Sequence, residues 1–99
     1  MSATIGKARL TLYFEDTFSL KDKRSEVKSV IRRVQNQFNV AIAEIEDLDD
    51  VRTATLGLAV ISTSTPHADQ MLQTIIVAVE RLLDISVLGE IETEMIPFG

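Results

Sequence analysis

The sequence predicts an α+β sandwich of order βαββαβ, a four-stranded antiparallel sheet with two helices on one face. Three observations predict it. Two stretches repeat apolar residues at the helical period of 3.6, and the stretches around them alternate at period two or are β-branched. The two kinds interleave as strand, helix, strand, strand, helix, strand. Acidic and capping residues punctuate the joins.

Residues 4 to 15 form the first strand, because Ala8, Leu10, Leu12 and Phe14 alternate with Lys7, Arg9, Thr11 and Tyr13. Ser19-Leu20-Lys21-Asp22 then fits a capping box, in which the Ser19 hydroxyl accepts from the Asp22 N–H while the Asp22 carboxylate reaches back. A helix starts there and runs to about Phe38, with Val27, Val30, Ile31, Val34 and Phe38 as its apolar stripe. Residues 40 to 46 make a short β-branched strand, closed by the acidic turn Asp47-Leu48-Asp49-Asp50. Residues 52 to 63 return as the third strand, with Ala54, Leu56, Leu58 and Val60 on one face. Thr65 as N-cap and Pro66 at the first helical position open a second helix. Its stripe is Ala68, Leu72, Ile75, Ile76, Val79, Leu82 and Leu83, and it ends near Asp84. Residues 86 to 98 supply the last strand, with Val87, Ile91 and Met95 on one side and Leu88, Glu90, Glu92 and Glu94 on the other.

This order divides into two βαβ units, each needing a right-handed crossover, and the compact solution is the ferredoxin-like sandwich. Its strand order is four, one, three, two. Charge supports that pairing, since Lys7 and Arg9 on the first strand would lie beside Glu90, Glu92 and Glu94 on the fourth.

With 99 residues, 45% apolar and 25% charged, the chain is expected to form one domain over residues 1–99. The absence of cysteine excludes disulfides, thiolate metal sites and cysteine nucleophiles, and a reducing cytoplasm is expected. The first residues show no basic and then apolar leader, and the longest apolar run, 75 to 79, is far below the roughly 18 residues of a membrane span.

Charge is concentrated. Lys21, Lys23, Arg24, Lys28, Arg32 and Arg33 are six of the ten basic residues. Less Asp22 and Glu26 they leave that segment at +4, and the total of −5 puts the rest at −9. Lys21, Arg24, Lys28 and Arg32 share one helical flank, so a phosphate backbone could run along it; the alternative is a solvated face answered by the acidic remainder. RNA contact by base stacking on the open sheet is excluded, because the third strand offers Thr55, Gly57, Ala59 and Ile61 there and the first strand only Tyr13. With Ala41, Ala43 and Ile45 these positions make half of the open face small and apolar, a surface suited to a second copy or a partner protein.

Glu44, Glu46, Asp47, Asp49 and Asp50 lack the turn glycine and distal glutamate of a calcium loop, so no metal is expected, and the acids read as guards of an edge strand. His67, the single histidine, has no triad or metal partner at motif spacing and reads as a surface or capping residue. Gly6, Gly57, Gly89 and Gly99 are isolated, so no loop cradles a phosphate and nucleotide hydrolysis is excluded. The loop Asp16-Thr17-Phe18-Ser19 lacks the glycine and arginine of an acylphosphatase-like site and the glycine of amino-acid sensors, and copper carriers need paired cysteines. Neither catalysis nor a cofactor is expected.

Ser19-Leu20-Lys21-Asp22-Lys23-Arg24-Ser25, followed by Val27-Lys28-Ser29 and closed by Phe38-Asn39-Val40, resembles the YlxP-like family of bacterial proteins of unknown function. Ala43-Glu44 and Leu56-Gly57 also sit at family-like positions, so the similarity is full length. The resemblance implies a small cytoplasmic ferredoxin-like protein, in many bacteria encoded among translation and ribosome-maturation genes. Ser19, Leu20, Lys21, Lys23, Arg24 and Lys28 match the family box. The resulting expectation is a non-enzymatic binding module that meets ribosomal RNA or a ribosome-associated protein through the basic ridge. The alternative is a homodimeric adaptor that binds through the open sheet.

Overall fold

A computed structural model describes residues 3–99; Met1 and Ser2, part of the stretch read for a leader, lie outside the described residues. The elements follow as β1 Ala3–Phe14, α1 Leu20–Gln37, β2 Ala41–Glu46, β3 Thr53–Ser62, α2 Thr65–Leu82 and β4 Ser86–Phe98. They form one antiparallel sheet of order β2-β3-β1-β4, the expected ferredoxin-like arrangement.

Local chemistry places the helix starts. At α1 the Asp22 N–H donates to Ser19 Oγ at 3.1 Å and the Ser19 N–H donates to Asp22 Oδ2 at 3.0 Å, completing the capping box. At α2 the cap is Ser64, not Thr65, because Ser64 Oγ accepts the His67 N–H at 3.2 Å. The Thr65 hydroxyl is turned instead to Thr4 Oγ1 on β1, at 2.9 Å. The core fills the space between sheet and helices. Leu10 and Leu12 of β1, Leu56 and Leu58 of β3, Val30 and Val34 of α1, and Leu72 and Ile75 of α2 are all buried there.

The fourth strand departs from the period-two reading. Leu10 pairs with Ile91 but Leu12 pairs with Leu88, so β4 carries one extra residue in a bulge and its side chains change face across it. Leu88 therefore joins Met95 against the core, while Val87 stands on the open face with Glu92 and Glu94. Gly89 lies in the bulge where Tyr13 crosses over it, and a Cβ there would come within 2.2 Å of the Tyr13 ring. No helix among the described residues is long and apolar enough to cross a membrane.

Candidate functional site

Two surfaces were singled out by the sequence, the helix-free face of the sheet and the basic flank of α1. Strand register orders the first into rows. One row runs Ala41, Ala59, Lys7, Glu94, the next Ala43, Gly57, Arg9, Glu92, and a third Ile61, Ile5, Ile96. Side chains are long on the β1 and β4 side and short on the β2 and β3 side, which leaves a hollow of about 530 Å³ floored by Ala41, Ala43, Gly57 and Ala59. Ile45, brought over Gly57 by a second bulge between Glu44 and Glu46, walls it. Beside the hollow Ile61 is 61% exposed, and Tyr13, Val87 and Phe98 are also exposed. Ala41, Ala43, Ile45, Ala59, Ile61 and Tyr13, the residues expected to form a partner face, thus share one surface.

Ion pairs tie the long side of this face together, though not all as expected. Lys7 Nζ lies 3.2 Å from Glu94 Oε1, as the strand pairing requires. Arg9, which sits opposite Glu92, instead reaches across β3 to the Glu46 carboxylate, and that hydrogen bond raises its guanidinium pKa further. Glu92 is left without an ion-pair partner among the described residues. Glu90 accepts the Tyr13 hydroxyl proton at 2.5 Å, which raises the phenol pKa and lowers that of the carboxyl.

On α1, Lys21, Arg24, Lys28, Arg32 and Arg33 are exposed, and Arg24 is held by Asp49 at 3.3 Å. Lys23 must be removed from the ridge. Its side chain is fully buried, and its ammonium donates to the carbonyls of Asp47, Asp50 and Thr53 at 2.5, 2.6 and 2.6 Å. Glu44 Oε2 stands 3.1 Å away. An ammonium has three protons, all spent on the carbonyls, so this buried carboxylate oxygen gains charge compensation but no hydrogen bond. Lys23 anchors the acidic turn and its ammonium is closed off from the surface.

Glu26 is a second buried charge that sequence reasoning missed. Its Oε1 accepts the N–H groups of Asp84 and Ile85 at 2.8 and 2.9 Å, and its Oε2 accepts from the Ser86 hydroxyl, fastening the start of β4 to α1. A signal was present in the spacing. Lys23 lies four residues before Val27 and Glu26 four before Val30, so both continue the buried stripe.

The remaining candidates resolve into local structure. Asp47 accepts from the Thr55 hydroxyl at 2.8 Å and Asp50 from the Arg52 N–H at 2.8 Å; no group of three or more metal-ligating side chains converges among the described residues. His67 Nδ1 lies 2.7 Å from Ser62 Oγ at the α2 cap, a pairing that sequence spacing did not suggest. No carboxylate orients the ring in that pair, among the hydrogen bonds of the described residues.

The fold resembles a de novo designed protein, Foldit4, with a TM-score of 0.54 at 13% identity, covering 95% of this chain and 96% of that one. It also resembles a dimeric ferredoxin-like protein of unknown function from Thermobifida fusca, with a TM-score of 0.51 at 13% identity over 95% of this chain and 92% of that one. At such identity these likenesses speak to the fold alone. In sequence the chain is 35% identical over 81 residues to the uncharacterized protein YlxP of Bacillus subtilis (strain 168), which spans 82% of this chain and 88% of the relative. Residues 5–91, from β1 into β4, match the model of a family described as proteins of unknown function, DUF503. The chain belongs to that family, and is YlxP-like.

Proposed function

We propose that this protein is a non-enzymatic cytoplasmic binding module that works as a homodimer built on the open face of its sheet. The observation that carries the reading is the uncovered face itself, where the row Ile61, Ile5, Ile96 and the small-residue hollow lie together opposite the helices. A second copy would remove this apolar surface from water. The dimeric state of the Thermobifida fusca protein of like fold agrees with it. The test is sedimentation equilibrium at micromolar protein. Wild type is expected to show a dimer mass and Ile61→Lys a monomer; a wild type that stays monomeric at high concentration overturns the reading.

A second reading rests on α1. Lys21, Lys28, Arg32 and Arg33 are exposed and have no ion-pair partner among the described residues. With Arg24 they form a local phosphate-binding flank on a protein whose total charge is −5. The family resemblance, with its translation and ribosome-maturation neighbourhood, makes ribosomal RNA the polyanion of choice. Fluorescence anisotropy with ribosomal RNA fragments should show affinity falling with salt at a log–log slope of roughly −3 if about four phosphates of a single-stranded or loop segment are neutralised. Lys28→Glu with Arg32→Glu should abolish the binding. Binding by that double variant at wild-type strength, or none at low salt by wild type, removes this reading and leaves the dimer standing.

A further inference from the structure

The open face is divided along its length. Its β1 and β4 half stands high on Lys7, Glu92 and Glu94, with Arg9 leaning from it across β3 to Glu46, and its β2 and β3 half is low, floored by alanine and Gly57. Resting on the dimer reading above, we infer that a second copy docks about a two-fold axis parallel to the strands and midway between β3 and β1, so that the high half of each copy fills the hollow of the other. A rotation about such an axis keeps every residue in its row and exchanges strand positions. Then β3 faces β1 of the second copy, and β2 faces its β4.

Three features of the face favour that axis. The third row becomes self-matching, because Ile61 meets Ile5 of the second copy. Arg9 of each copy lies over Gly57 of the other, one row from Glu46, so its guanidinium approaches an acid, while Lys7 lies over Ala59 and stays beside its own Glu94. All four strands overlap, and the footprint is roughly 19 Å by about 30 Å, or about 600 Å² before relief is counted, from strand and residue spacings. A standard interface takes about 800 Å² per partner, so this overlap approaches that size. An axis between β1 and β4 would pair only two strands and leave the hollow open. Pairing β4 edge to edge about a two-fold axis would bring the glutamates of two β4 strands together.

The arrangement makes a test that in-chain effects do not imitate. Ala43 on β2 and Glu92 on β4 belong to one row but to opposite edges of the sheet, separated by two strands or roughly 14 Å. Only the second copy places Glu92 over Ala43. Analytical ultracentrifugation should therefore show Ala43→Lys tightening the dimer and Ala43→Glu loosening it, each by about tenfold. Adding Glu92→Lys to Ala43→Glu in the same chain should restore dimerisation, with circular dichroism confirming that each variant is folded. If wild type dimerises and Ile61→Lys breaks the dimer, but Ala43→Lys and Ala43→Glu act alike or Glu92→Lys rescues nothing, this axis is wrong while the sheet-face dimer stands. A monomeric wild type overturns both.

Discussion

At the scale of single residues, buried charge decides more than exposed charge. Lys23 holds three backbone carbonyls and compensates Glu44, so its loss would leave four oxygens turned inward without a cation. Lys23→Met is expected to destabilise the protein by about 3 to 5 kcal/mol in urea unfolding, as removing one partner of a buried ion pair does, and adding Glu44→Gln should recover part of that loss. Lys23→Arg should not substitute, since a planar fork does not match three carbonyls gathered around a point charge. Tyr13 and Glu90 make a contrasting, exposed pair. The lowered Glu90 carboxyl contributes stability above its ordinary 4.5, lost as pH falls through the folded value. The raised Tyr13 phenol contributes stability below its ordinary 10.0, lost as pH rises through its folded value. The stability advantage of wild type over Tyr13→Phe should accordingly be greatest between those limits and shrink toward both. Chemical denaturation across pH checks it, and a flat difference would refute the pair's role.

At the scale of elements, β4 shows how one extra residue reassigns a surface. The bulge opposite Thr11 moves Leu88 to the core and keeps the glutamates on the open face. It works because Gly89 leaves room for the Tyr13 ring, whose nearest atom is 2.2 Å from where a Cβ would stand. Gly89→Ala should force the ring aside, break the bond to Glu90 and cost about 1 to 3 kcal/mol, the range of overpacking effects. Thermal unfolding would measure the loss, and the Tyr13 ring resonances should shift with it. The helices need no such device. Their stripes and the α1 capping box are readable because a 3.6 period and a hydroxyl at the cap are local properties. At α2 the neighbouring Ser64 and Thr65 both offer a hydroxyl, and the contact of Thr65 with Thr4 leaves the cap to Ser64.

At the scale of the whole molecule, the helices occupy one face and the candidate dimer surface the other. The two proposed activities are therefore physically separable. Lys28→Glu with Arg32→Glu should leave the dimer mass unchanged in sedimentation, because these side chains project from α1 to solvent and Val27, Val30 and Val34 carry the helix's burial. A change in mass would mean that the ridge belongs to the interface. The same separation lets a protein of net charge −5 carry a cationic flank, since screening over roughly 8 to 10 Å isolates exposed charges at physiological salt.

Element order, the ferredoxin-like topology, the helix-one capping box, both helix stripes and the alternation of β1 and β3 are legible in the residues alone. Each depends on periods and neighbours within one segment, and the stripes demand a common core. The grouping of Ala41, Ala43, Ile45, Ala59, Ile61 and Tyr13 on one face was legible for the same reason. Which charges are free is settled by the folded chain. Lys23 and Arg24 are adjacent and chemically alike, yet one is buried among the carbonyls of the β2–β3 turn and the other is exposed beside Asp49. Nor could spacing show that Arg9 would bypass Glu92 for Glu46, or that β4 would change face at Gly89. Those outcomes depend on strand register and on contacts made by residues far apart in the chain, which a local pattern does not encode.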